Sequence, residues 1–453
     1  MGRRAVAHKA GGAIIKDHPA RRIAPRSITY PLGHPAIEPT MGVTQEGNVF
    51  VTALEATNRI EVLRSKDNGR TWETVSPQFS SGANAHLLSF DPYLHVDRST
   101  SRVFSIDLTV ACSYLSFSDD EGESWTTNPL ACGRPVNDHQ TLFTGPAVTS
   151  PTVGYDNAVY YCWNDWGAGS SCSKSLDGGI SFSPTGSPAY TGFDPDAESP
   201  GIGGEVGDLR GFCGGLHGHG EVGPDGKIYL PKAHCGQPWL AISRDEGATW
   251  ERVQVADIGG AGDNSFSTAA SDPSVAVDRA GNLYYLWVAR DRLPYLVVSR
   301  DEGATWSQPR MIGSPGLTEA NLASIDVGSP GRIAVSYMGS TDSLFQKCHS
   351  STECPKRNLY RAPSWSGYIM VSANALDASP TFFTAAVNKE SQPLVKGTCG
   401  PGRCPAVYDF IDVHVSHSGV AWATFVDATR QGGGVTAKGE GMIARLVGGP
   451  RLN

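Results

Sequence analysis

Histidine is the residue type in this chain whose spacing first suggests chemistry. The segment CGGLHGHGEVGPDGKIYLPKAHCG carries His217, His219 and His234, and His139 sits upstream in the stretch NDHQ. His217 and His219 are two apart, so on a strand both side chains point to the same side. The glycines around them let a ligand or another backbone approach closely. Neutral imidazoles in such a cluster could supply a general base. They could also bind a divalent metal, zinc or calcium, with His217, His219 and His234 as ligands. The structural alternative is that they only hydrogen-bond within a wall.

Carboxylates and arginines recur beside strand-like stretches. Glu38, Asp91 and Asp272 stand at the starts of such stretches, each followed by Pro in the sequence. Paired carboxyls can act as acid and base at a glycosidic bond, and Arg can neutralise a sugar carboxylate. The expected catalytic set is therefore His217, His219, His139, Asp91, Asp272 and Glu38. Arg59, Arg134, Arg210, Arg290, Trp166 and Tyr408 are expected to bind substrate. Asp-Pro and Glu-Pro also serve as turn and cap chemistry, which is the competing role at each position.

An internal repeat must position these residues. The pattern Ser-x-Asp-x-Gly-x-Thr/Ser-Trp/Phe occurs as SKDNGRTW from Ser65, SDDEGESW from Ser118, SLDGGISF from Ser175, and SRDEGATW from both Ser243 and Ser299. The starts lie 53, 57, 68 and 56 residues apart, room for one four-stranded sheet with its loops. The Asp carboxylate can accept bonds from successive turn amides, Gly supplies a positive φ, and the closing aromatic returns to the core. A second repeat, strand–Gly turn–strand, precedes each box and recurs without one from Ala323 and Asp409. Its period-2 alternation is that of hairpins. Together these predict an all-β fold, a single β-propeller of four-stranded antiparallel blades, seven by the hairpin count and six as the alternative. Residues 26–453 form the propeller, which a strand from 26–33 could close. Residues 1–25 read as a basic, poorly ordered tail.

The boxed pattern is the Asp-box, or BNR, repeat. Over roughly residues 38 to 446 the chain resembles the sialidase-like β-propellers that carry it. The stretch GNVFVTALEATNRIEVLRSKDNGRTW is similar to the first sialidase blade. In that family the boxes lie at the rim, away from the catalytic face, which implies structural roles for Asp67, Asp120, Asp177, Asp245 and Asp301. Arg22-Ile23-Ala24-Pro25 only approximates the family's Arg-Ile-Pro, and no Tyr-Glu nucleophile pair stands out. The resemblance thus implies a glycoside hydrolase of the sialidase superfamily rather than a true sialidase. Two alternatives remain open: a polysaccharide lyase acting on a uronate-containing glycan through His, Tyr and Arg, and a non-catalytic propeller binding glycan or protein.

Composition limits the partners. A formal net charge of −8 argues against nucleic acid, and no apolar run approaches the roughly 20 residues of a membrane-spanning helix. The expected partner is carbohydrate, including acidic glycan, bound by a monomer. Ten cysteines without CxxC spacing favour disulfides. Neighbours along the chain suggest the pairs Cys112–Cys132, Cys162–Cys172, Cys213–Cys235, Cys348–Cys354 and Cys399–Cys404. An oxidising, extracytoplasmic compartment follows, although the chain shows no apolar signal-peptide segment.

Overall fold

Strand after strand in this chain is buried on both faces. Val49–Leu54, Ala158–Asn164, Leu283–Val288 and Ala421–Asp427 expose no residue to solvent. Each is the second strand of a four-stranded sheet and is packed between neighbouring sheets. A strand covered on both faces is uniformly apolar instead of alternating. The computed structural model describes residues 6–9, 25–54, 60–77, 91–108, 113–130, 138–148, 151–165, 169–192, 215–234, 237–256, 272–289, 291–342, 363–397, 399, 404, 407–430 and 439–453.

These residues build a seven-bladed β-propeller. Blade 1 is Met41–Val43, Val49–Leu54, Ile60–Ser65 and Glu73–Thr74. Blades 2 to 5 begin with Pro92–Val96, Asp138–Gly145, Glu221–Val222 and Ser274–Val277, and run outward in chain order. Blade 6 begins with Glu319–Val327, and Val6–Lys9 pairs with its outer strand Thr381–Ala386. Blade 7 takes Val413–Val415, Ala421–Asp427 and Gly439–Val447 from the end of the chain and its outermost strand, Arg26–Ala36, from the beginning. The ring is thereby closed. This strand runs three residues past the predicted 26–33, with a register shift between Pro31 and Pro35.

The repeated turns have the hydrogen bonds their residue types suggest. Asp67 Oδ1 accepts from Ser65 Oγ at 2.9 Å and from the amides of Arg70 and Thr71 at 3.0 and 2.9 Å, and Oδ2 accepts from Thr71 Oγ1 at 2.8 Å. The turns at Asp120, Asp177, Asp245 and Asp301 repeat the scheme. Blade 6 carries a sixth version that departs from the sequence pattern. Asn374 replaces Asp, and its Oδ1 accepts from the Thr381 amide at 2.9 Å across a longer turn.

Between the blades lie aromatic and aliphatic clusters, with Trp287, Trp365, Tyr160, Tyr161, Tyr284 and Tyr285 among the largest fully buried side chains. Removing a large apolar side chain from water stabilises the fold by about 2 kcal/mol. Two disulfides are seen. Cys162–Cys172 joins directly opposed residues of adjacent strands in blade 3, and Cys399–Cys404 closes a loop before blade 7. The other six cysteines lie outside the described residues. Among the described residues no helix is long and apolar enough to cross a membrane.

Candidate functional site at the channel mouth

The innermost strands all run the same way along the central channel, so the residues just before them converge on one end. At this mouth the backbone is bent. Glu38, His139 and Leu322 have φ of 46, 49 and 53°, and bulges interrupt the first strands of blades 3 and 6 at Asp138/Thr141 and Asn321/Ser324. Left-handed backbone at non-glycine residues is costly and is held by its surroundings.

His139, from blade 3, is buried and its Nε2 lies 2.5 Å from Asp272 Oδ2, which stands before blade 5. The His139 amide donates to Asp91 Oδ2 at 3.4 Å. Burial disfavours the imidazolium, but the charges of Asp272, Asp409 and Asp91 outweigh it and push the pKa up to about 9. Phe410 presents an edge-to-face contact to the ring at 5.2 Å.

Glu38 enters from blade 1. Its Oε1 accepts the Asp409 amide at 3.0 Å, and its own amide donates to the Val407 carbonyl at 3.1 Å. Glu38 is 2% exposed, and its carboxyl faces the Asp91 carboxyl at the start of blade 2. Burial, then the charges of Asp91 and Asp409, push its pKa well above the usual carboxylate range. Asp91 and Asp272 are also raised, chiefly by burial, with His139 pulling the other way.

The two histidines before blade 4 diverge in role. The regular ladder there starts only at Glu221, and His217 makes an isolated bridge to Lys232. Its ring packs at 6.4 Å from that of His139, with Nδ1 3.2 Å from Ser170 Oγ. His219 sits in an aromatic slot, edge to face with Tyr93 at 5.1 Å and Phe410 at 5.3 Å. Burial pushes it down to about 3. The glycine between them serves a close backbone approach, since a Cβ on Gly218 would lie 1.7 Å from the Pro273 carbonyl oxygen.

The structure thus brings Glu38, Asp91, His139, His217, His219 and Asp272 to one mouth. His234 does not join them through its ring contacts, which are with Tyr190 at 5.2 Å and Trp239 at 6.0 Å. Among the described residues no three His, Cys, Asp or Glu side chains are arranged to hold a metal ion, so the expected His217–His219–His234 ligand set is not formed. Its physical reason is the aromatic packing that separates the three rings. Tyr408, at φ 68°, bridges to Cys404 and packs against Ile37, Leu54 and Ile60 at the blade 1 side. Arg59, Arg134, Arg210, Arg290 and Trp166 lie outside the described residues.

Sequence reasoning passed over Asp409, Phe410, Asn164 and Ser170 as site residues. Asp409 begins the seventh strand–turn–strand unit much as Asp91 and Asp272 begin theirs, so the repeat register was a usable signal. For Asn164 and Ser170, flanking a loop in blade 3, no sequence signal exists.

Below the mouth the channel holds a cavity of about 330 Å³ lined by the first strands of all seven blades. Glu221 and Asp412 face it, and burial pushes them up to about 8 and about 7. At its far end Arg98 of blade 2 reaches across to blade 6, pairing with Asp326 and donating to the Val327 carbonyl at 2.8 Å.

No known protein family and no curated protein matches this chain. Among solved structures it is similar to a protein of unknown function from Dyadobacter fermentans, at 14% identity and TM-score 0.44, covering 94% of this chain and 98% of that one. It is similar to the NanB sialidase of Streptococcus pneumoniae at 13% identity and TM-score 0.44, covering 91% and 68%. An ulvan lyase of polysaccharide lyase family PL25 shares 12% identity at TM-score 0.41, covering 67% and 76%.

Proposed function

We propose that the protein is a secreted carbohydrate-active propeller of the Asp-box, sialidase-like kind, and that its channel mouth hydrolyses a glycosidic bond. The observation that carries this reading is the Glu38–Asp91 pair. Two carboxyls from adjacent blades face each other, and Glu38 is pushed well above the usual carboxylate range. Two carboxyls that share one proton supply an acid and a base to a bound glycan and water, closer together than in the paired-carboxyl glycosidases. The protonated Glu38 is the candidate acid, and Asp91 the candidate base. The His139–Asp272 ion pair holds a positive charge beside them and orients the imidazole.

A second reading, elimination at a uronate, draws on the His139–His217 pair. A cationic imidazole would neutralise the uronate carboxylate while a neutral one takes the α proton. The two chemistries leave different products. Incubation with a panel of neutral and acidic glycans is expected to release new reducing ends without ultraviolet-absorbing unsaturated sugars. Unsaturated products would replace hydrolysis by elimination, and binding without cleavage would reduce the protein to a lectin-like propeller.

A further inference from the structure

Asn164, at the end of the second strand of blade 3, is the hub of the hydrogen bonds beneath the mouth. Its Oδ1 accepts from the His217 amide at 3.2 Å, from Ser170 Oγ at 3.2 Å and from Lys232 Nζ at 3.5 Å. Its Nδ2 donates to the carbonyls of Asp138 and His139 at 3.4 and 3.3 Å. The reversed amide would set NH2 against a backbone N–H and the Lys232 amine, which burial pushes down to about 7, and oxygen against two carbonyls. Only the orientation described satisfies its neighbours.

That orientation determines where the protons lie. Ser170 has a single hydroxyl proton, and it goes to Asn164 Oδ1. One lone pair of Ser170 Oγ accepts from Lys232 Nζ at 3.0 Å. The remaining lone pair faces His217 Nδ1 at 3.2 Å, an arrangement that favours Nδ1 as the donor. Asn164, Ser170, His217 and Lys232 are all buried. A neutral imidazole carries one N–H, and among the described residues His217 Nε2 has no hydrogen-bond partner. The His139 carbonyl accepts from Asn164 Nδ2 and turns its second lone pair toward this ring.

We infer that Asn164 and Ser170, backed by Lys232, fix His217 as its Nδ1–H tautomer and leave Nε2 as the proton acceptor of the mouth. Asn164, Ser170 and Lys232 are positioning residues, acting through His217. Burial and the nearby charges of His139 and Lys232 keep the ring neutral and so keep the acceptor open. When an O–H group is brought to Nε2, the proton passes to nitrogen and the bonding pair stays on oxygen. Only this use of the acceptor rests on the acid–base reading of the mouth; the tautomer does not.

The test is nitrogen-15 NMR of the full chain labelled at histidine, with the His217 signals assigned by their loss in His217→Gln. The expected pattern at neutral pH is a protonated Nδ1 and a bare Nε2, kept in Ser170→Thr and lost in Ser170→Ala. A protonated Nε2 in the wild type, donating to the His139 carbonyl, overturns the inference, as does an unchanged pattern in Ser170→Ala. If Ser170→Ala fails to fold, Lys232→Met reads the same network: Ser170 loses the Nζ donor on its other lone pair, a mixture of the two tautomers is expected, and an unchanged pattern overturns the inference. On any glycan the wild type cleaves, Ser170→Ala should lower kcat about 10-fold with KM little changed, and Ser170→Thr should restore it. Absence of cleavage by the wild type would count against the proposed hydrolysis and leave the tautomer result standing.

Discussion

His139 and Asp272 stand in blades 3 and 5 and meet as an ion pair 2.5 Å long at the channel mouth. This contact explains how a fully buried imidazole can be held cationic, up to about 9, against the cost of burial. Replacing Asp272 with Asn removes the largest favourable charge. The His139 titration, followed by NMR, should then fall by about one unit or more. Because the folded pKa is raised, the pair's stabilisation is complete below the unfolded value and lost as pH rises through about 9. Wild type should therefore lose thermal stability between pH 7 and about 9.5 more steeply than Asp272→Asn. Equal slopes would show that the pair does not hold the proton.

The channel cavity makes a separate prediction. Glu221 and Asp412 have pKa values raised to about 8 and about 7, and Glu221 keeps a partly open edge toward the channel. A carboxyl raised on folding stabilises the fold below its unfolded pKa and ceases to as pH rises through the folded value. Between pH 5 and 8 the wild type should lose stability that Glu221→Gln and Asp412→Asn retain. Differential scanning calorimetry across that range reads the difference as a Tm gap of about 2–5 °C at the upper end.

The Cys399–Cys404 disulfide should support the site. Cys404 pairs with Tyr408, and the following residues hold Glu38 through the Val407 carbonyl and the Asp409 amide. The paired change Cys399→Ser with Cys404→Ser is expected to leave the propeller folded and to impair glycan turnover at least 10-fold, an estimate from the loss of positioning. Unimpaired turnover would separate the loop from the site.

The rim turns should behave in the opposite way. Asp177 Oδ1 and Oδ2 bind Ser175, Ser181 and the Ser181 amide. Asp177→Ala should cost about 1–2 kcal/mol, seen as a Tm fall of about 1–2 °C, with turnover unchanged. Loss of turnover in a stable variant would mean the turn communicates with the mouth.

The fold was legible because its rules are local. Ser65, Asp67, Gly69 and Trp72 meet within one turn, and the same few residues recur at blade spacing. Glu38, Asp91 and Asp272 could be placed at the mouth from repeat register alone. The site's connections were not legible, because they cross between blades. Asn164 touches His217 at a separation of 53 residues, and Glu38 touches Asp409 at 371. The separation of His234 from His217 and His219 has the same origin. Proximity in sequence to His217 said nothing of Tyr190 and Trp239, which enclose its ring.

The central claim, that the mouth carries out acid–base cleavage through Glu38 and Asp91, is tested most directly by Glu38→Gln. Gln keeps the shape of the side chain and cannot deliver a carboxyl proton. On a glycan that the wild type cleaves, single-turnover kinetics should show kcat reduced about 100-fold or more with glycan affinity within threefold of wild type. Turnover retained by Glu38→Gln at wild-type rate would contradict the account.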